Sequence, residues 1–196
     1  MAQVNRVQAG SMMSADMALQ LSIAERTDFL RNLIANILSQ HHEYLKRELP
    51  GMEAALTEVA QVGSGTYRQQ AAEMLPLLVR FRQELEAHMK REELNLFPLI
   101  ERLERTFAAG QPAPRNSFGP LSNAIQFMNE DHDFENQLLD RMAEMSHGFA
   151  APSDAPADYT KLMIRLQALK VDLDEHVRKE DEMLFPAAIC LEEKSL

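Results

Sequence analysis

Apolar residues recur along this chain at spacings of three and four, and alternating strand-like runs are scarce. Phe29, Leu30, Leu33, Ile34, Ile37, Leu38 and Leu45 form one stripe that leads to Pro50. Ser22-Ile23-Ala24-Glu25 has the form of a capping box, and Thr27-Asp28 offers a second start for the same helix. Pro50 is read as a kink after which the helix resumes to about Val62, before the break Gly63-Ser64-Gly65. A second helix is expected from about Tyr67 to Phe107, with Leu78, Phe81 and Leu85 inside. Breakers then cluster in Ala109-Gly110-Gln111-Pro112-Ala113-Pro114 and Gly119-Pro120. A third helix spans roughly Leu121 to His147 with Ile125, Met128, Leu139 and Met142 inward, and Ala151 to Pro156 ends it. The fourth runs from about Ala157 to Leu191 on Leu162, Leu166, Leu169 and Leu173.

Four long helices in two hairpins predict an all-α fold, an antiparallel up-down four-helix bundle. Residues 1–25 carry no such pattern and are read as a flexible arm, leaving one domain over residues 26–192.

Some stripe positions are polar. Leu78, Phe81, Leu85, His88, Glu92 and Leu96 continue one inward face, and Leu166, Leu169, Leu173, His176, Glu180 and Leu184 continue another. His132 falls between Met128 and Leu139 on the inner face of the third helix. The motif H-x-x-x-E-x-x-x-L-F-P is thus written twice, as HMKREELNLFP from His88 and HVRKEDEMLFP from His176. Each copy is preceded by a helix with one matching histidine, His42-Glu43-Tyr44 and His132-Asp133-Phe134, at nearly the same interval. The chain is a duplicated helix hairpin.

A lone buried histidine is usually a core residue bonded to a carbonyl, and an i, i+4 His–Glu pair is usually a helix-face contact. Four histidines and two glutamates at inward positions of a repeat fit neither description. A buried carboxylate costs several kcal/mol unless it is compensated, and a cation supplies that compensation. Six nitrogen and oxygen ligands exceed a closed zinc site and suit two ions, with two histidines on each and Glu92 and Glu180 bridging. Iron fits first, with a bridging oxo or hydroxo group; manganese and zinc also fit. Histidine-rich ligation of the form His-x-x-x-Glu differs from the glutamate-dominated Glu-x-x-His of ferritin-like sites. It favours reversible binding or redox chemistry over strong oxidation.

For the first ligand two neighbours compete. Helical phase puts His41 nearer the centre of the stripe, whereas the register to Pro50 and the internal repeat favour His42. Glu84, one turn before His88, and Asp131, beside His132, are candidates for hydrogen bonding a ligand imidazole or relaying protons. Phe97 and Phe185 are expected to wall the site, with Leu-Phe-Pro closing the bundle end. His147 reads as solvated, and the 12 methionines as core filler.

Composition narrows the remaining options. Lys plus Arg number 20 against 30 Asp plus Glu, a formal charge of -10 with no basic stripe, which argues against nucleic acid. Cys190 is the only cysteine, so no intrachain disulfide can form. No apolar run approaches the ~20 residues that span a bilayer, and no signal-peptide core is visible. A soluble cytoplasmic protein, monomer or homodimer, is expected.

Through HHEYLKRELP, HMKREELNLFP, NEDHDFEN and HVRKEDEMLFP the chain resembles the hemerythrin-like HHE cation-binding domains, and among them the repair-of-iron-centres di-iron proteins. The likeness covers about residues 28 to 190. It implies a four-helix bundle with a non-haem di-iron centre held by His42, His88, Glu92, His132, His176 and Glu180. It also implies a role in nitrosative or oxidative stress defence: binding or reducing nitric oxide, or supplying iron to damaged iron–sulfur proteins. The alternatives are an oxygen, redox or iron sensing module without turnover, and an iron store. Oxygen-carrying hemerythrins have a fifth histidine and one bridging aspartate, a pattern this chain lacks. The cysteine-containing N-terminal domain of the repair proteins has no counterpart in this sequence.

Overall fold

The computed structural model describes residues 23–114 and 119–195, with side chains from residue 29 onward. Ser22 of the expected capping box and residues 1–22 of the expected arm lie outside the described residues. Helix is already present at Ile23, three residues before the expected edge of the bundle.

Four rods build an antiparallel four-helix bundle, and no strand occurs among the described residues. The first rod comprises α1 (Ile23–Asn36), a π-helical turn Ile37–His42, and α2 (Glu43–Val62). The second comprises α3 (Gly65–Arg91), a π turn Glu92–Leu96, and α4 (Phe97–Ala108). The third is the unbroken α5 (Leu121–Met145). The fourth comprises α6 (Ala157–Lys179), a π turn Glu180–Leu184, and α7 (Phe185–Lys194). Contacts of α2 with α3 and of α1 with α4 run the first two rods antiparallel, while α5 lies along α3 and α6 along α2. None of the described helices is long and apolar enough to cross a membrane.

Pro50 and Pro76 lie inside continuous helix. Leu-Phe-Pro does not close the bundle end: the rods run on past Pro98 and Pro186 as far as expected, and each proline sits at the start of a further helix just after a π turn. In those turns the ladder widens to i→i−5: the Phe97 N–H donates to the Glu92 carbonyl and the Phe185 N–H to the Glu180 carbonyl. A proline has no N–H to give and collides with the carbonyl four residues back, so a locally widened ladder suits it. Between the first two rods, Gly65 adopts φ +65, and a Cβ there would meet Asp154 Oδ2 at 2.7 Å.

The core is in two pieces. One apolar cluster contains Leu45, Leu49, Met52, Leu78, Phe81, Leu85, Leu139, Met142, Leu166 and Leu173 among others. The second contains Leu30, Ile34, Ile37, Leu96, Phe97, Ile100, Ile125, Met128, Leu184 and Phe185. Every rod passes from one cluster to the other, and the inward polar residues lie at the crossing, between Ile37 and Leu45, Leu85 and Leu96, Met128 and Leu139, and Leu173 and Leu184. Met52, Met74, Met89, Met128, Met142 and Met163 are buried among these apolar side chains. Phe81 is fully enclosed. Phe81→Ala is expected to cost about 3–5 kcal/mol through lost transfer energy and a residual cavity, measured by urea denaturation.

Candidate metal centre

At the crossing layer His42, His88, Glu92, His132, His176 and Glu180 are all buried, each no more than 2% exposed. They form two overlapping groups: His42, Glu92, His176 and Glu180, and His88, Glu92, His132 and Glu180, with the donor atoms of each group within 4.8 Å of one another. Both glutamates belong to both groups. Neighbouring donors are separated by 2.9 Å between His176 Nε2 and Glu180 Oε1, 3.2 Å between His42 Nε2 and His176 Nε2, 3.2 Å between His88 Nε2 and Glu92 Oε2, and 3.1 Å between His132 Nε2 and Glu180 Oε2. Two adjacent ligands at bond lengths of about 2.1 Å stand about 3 Å apart, so these spacings are the edges of a coordination shell. His88 Nε2, His132 Nε2, both Glu92 oxygens and Glu180 Oε2 are buried without a hydrogen bond. Orphaned donors of imidazole and carboxylate type, converging from three of the four rods, fit divalent iron, manganese or zinc.

The first rod explains the competition between His41 and His42. Unbroken α-phase would carry the stripe from Ile37 to the position four later, His41. The π turn holds one more residue, with the Glu43 N–H donating to the Leu38 carbonyl, so the inward position passes to His42, five after Ile37. His41 is buried too, but both its ring nitrogens are occupied: Nδ1 donates to Asp172 Oδ1 at 3.0 Å, and Nε2 accepts from Lys179 Nζ at 2.8 Å. Its ring lies parallel to that of His176, 5.4 Å away.

The outward nitrogens of three candidate ligands face carboxylates. His42 Nδ1 donates to Glu93 Oε1 at 2.7 Å, and His132 Nδ1 to Asp181 Oδ1 at 3.0 Å. His88 Nδ1 lies 3.6 Å from Asp131 Oδ2 and 3.8 Å from Glu135 Oε1. Such partners fix the tautomer that leaves Nε2 free and raise its basicity. Glu93 and Asp181 each follow a bridging candidate directly, and each reaches a histidine on another rod. The doubled acids Glu92-Glu93 and Glu180-Asp181 were visible in the repeat, but what they touch was not. Glu135, also unforeseen, is completely buried with neither oxygen hydrogen bonded.

Asp131 therefore stands beside a candidate ligand, and it also pairs with Arg91. Glu84 does not reach His88; it pairs with Arg80 at 2.7 Å, one turn back along the helix surface. Phe97 and Phe185 wall the site as expected, stacked on His42 at 5.8 Å and on His132 at 6.1 Å. His147 is exposed at the end of α5, and the half-buried Cys190 belongs to neither group.

The layer's electrostatics follow from this packing. Burial pulls His132 down, but hydrogen bonds to Asp181 and Glu180 outweigh it and raise its pKa to about 9. His42 and His88 are raised in the same way, against burial, by Glu92 and its neighbours. Burial pushes Glu92 and Glu180 up, and Glu180 also repels Glu92, yet the facing imidazoles hold both below the ordinary carboxylate value. Glu135, with burial dominant, rises to about 7.

Comparison with known proteins agrees with this geometry. Residues 33–188 match the family model described as hemerythrin HHE cation binding domain. The iron-sulfur cluster repair protein DnrN of Neisseria gonorrhoeae is 28% identical over 152 residues, covering 78% of this chain and 87% of that protein. The iron-sulfur cluster repair protein YtfE of Edwardsiella ictaluri is 32% identical over 160 residues, and that of Yersinia pseudotuberculosis 29% over 163. Each of these two alignments covers 82% of this chain but only 66% of the relative. With the motif-bearing rods, the polar layer and most of its length inside the match, this chain belongs to the hemerythrin HHE cation-binding family.

Proposed function

We propose that the chain is a cytoplasmic non-haem di-iron protein that serves iron–sulfur cluster repair under nitrosative or oxidative stress. The observation that carries the reading is the pair of buried four-residue groups sharing Glu92 and Glu180. The names of the relatives, iron-sulfur cluster repair proteins, supply the biological direction. His42 and His176 would hold one ion and His88 and His132 the other, with Glu92 and Glu180 spanning both. Bound iron would supply one-electron chemistry and an open position for a diatomic molecule such as nitric oxide or oxygen.

The side chains around the ligands have separate tasks. Glu93 and Asp181 aim His42 and His132 by holding their Nδ1–H groups. Phe97, Phe185 and the two apolar clusters keep bulk water from the ligand layer. Asp131 is partly exposed and lies between His88 Nδ1 and Arg91, so it can pass a proton from that nitrogen to the surface.

Protein purified without oxygen is expected to carry about two irons per chain and to consume nitric oxide with changes in its visible spectrum. His88→Ala and Glu180→Ala should each lower metal content and abolish that consumption. Unchanged metal content in both variants would overturn the assignment.

Protonation gives a second check. In the metal-free fold His132 is raised from 6.5 to about 9. Its contribution is full below the unfolded value and is lost as pH climbs through about 9, up to about 3 kcal/mol. Glu135, raised from 4.5 to about 7, acts in the same sense at lower pH. Metal binding needs neutral imidazole, so affinity moves the opposite way. Between about pH 6.5 and about pH 8.5, urea denaturation in chelator should show falling stability, while competition with a chelating dye should show rising Zn2+ affinity.

A further inference from the structure

The two halves of the ligand layer differ in their support. Around His88 and His132 stand two carboxylates that no cation claims. Asp181 Oδ1 accepts from His132 and forms no ion pair with Lys or Arg among the described residues. Glu135, enclosed and without a hydrogen bond, lies 3.8 Å from His88 Nδ1. Around His42 and His176 the balance is reversed. Glu93 Oε1 is shared between His42 Nδ1 and Lys46 Nζ, the latter at 2.6 Å. His176 Nδ1 is buried with no partner and no carboxylate within 4.0 Å among the described residues. The His41 ring stacks on the His176 ring, with Lys179 Nζ on His41 Nε2.

We propose that the two metal positions are unequal, and that Glu135 makes the His88/His132 position the one that fills first. The inference rests on the di-metal reading above. An ion on Nε2 withdraws charge from the ring and makes Nδ1–H a stronger donor, so a carboxylate opposite Nδ1 stabilises the loaded state more than the empty one. His88 Nδ1 faces both Asp131, at 3.6 Å and paired with Arg91, and Glu135, at 3.8 Å with no hydrogen bond of its own, and His132 already has Asp181. Glu135 gains in turn, because a buried carboxylate without a partner is among the costliest groups a core can hold. On the opposite side the shared Glu93 helps less, and His176 Nδ1 has no acceptor among the described residues. Glu135 touches no ligand oxygen and is a positioning residue acting through His88.

The test uses metal-free full-length chain and Zn2+ alone, following the imidazole 1H–15N resonances with calorimetry in parallel. The first equivalent is expected to shift His88 and His132, and the second His42 and His176. Glu135→Gln should weaken the first binding event by about 10–100-fold and spare the second. Glu93→Gln should weaken only the second. Asp181→Asn, on a partly exposed side chain, provides an independent variant of the first position, and far-UV circular dichroism checks the fold of each. Simultaneous response of all four histidines, or His42 and His176 responding first, overturns the proposal and leaves the di-metal reading standing. The same holds if Glu135→Gln changes neither event. If wild-type chain binds no ion, the di-metal reading falls and this inference with it.

Discussion

Eight ionisable side chains buried in one layer set the terms for the whole bundle. His41, His42, His88, Glu92, His132, Glu135, His176 and Glu180 lie between two apolar clusters, where water cannot solvate them. Leaving them unpaired would cost several kcal/mol each, against a net folding stability that is itself about 5–15 kcal/mol for a typical domain. The fold meets that demand by facing imidazoles against carboxylates, and it does so with oxygens and nitrogens spaced like the edges of a coordination shell. Dense apolar packing on both sides, from Leu78, Phe81 and Leu166 on one and Ile34, Ile100 and Phe185 on the other, holds the layer at that spacing.

Three of the four rods widen into a π turn where they cross this layer. An extra residue in a turn costs hydrogen-bond geometry, and it is kept where it re-aims side chains. In the first rod it moves the inward position from His41 to His42. In the second and fourth it begins at the bridging candidates Glu92 and Glu180, buries both Leu96 and Phe97, or Leu184 and Phe185, in succession, and delivers the chain to a proline that an unwidened helix tolerates poorly. The duplicated Leu-Phe-Pro therefore belongs to the site's architecture rather than to the bundle's end. The third rod has no such turn and no such proline, and it contributes a single inward histidine flanked by acids one turn apart.

The carboxylates outside the ligand set distinguish one half of the layer from the other. The sequence repeat alone would make the halves equivalent, because each hairpin supplies a histidine, then a histidine and a glutamate. What breaks the equivalence is the company of each ring: Lys46 on Glu93, Arg91 on Asp131, Lys179 on His41, and, among the described residues, no Lys or Arg on Asp181. These contacts join residues far apart in the chain, and the repeat contains none of that information.

The all-helical class, the four rods, the two hairpins and five of the six inward polar positions were legible in the sequence because each depends on local periodicity. A stripe at spacings of three and four is a property of the chain itself, and a His or Glu in the middle of it is conspicuous. Glu84 shows the limit of that logic: one turn from His88 by spacing, it turns to Arg80 because the solvent-facing side of the helix offers a cheaper partner. His42 over His41, the roles of Glu93 and Asp181, and the enclosure of Glu135 were decided only by tertiary structure. A π turn shifts phase by one residue without a clear sequence mark. A carboxylate's partner depends on which rod packs across from it, and that is fixed when the four stripes close on one another.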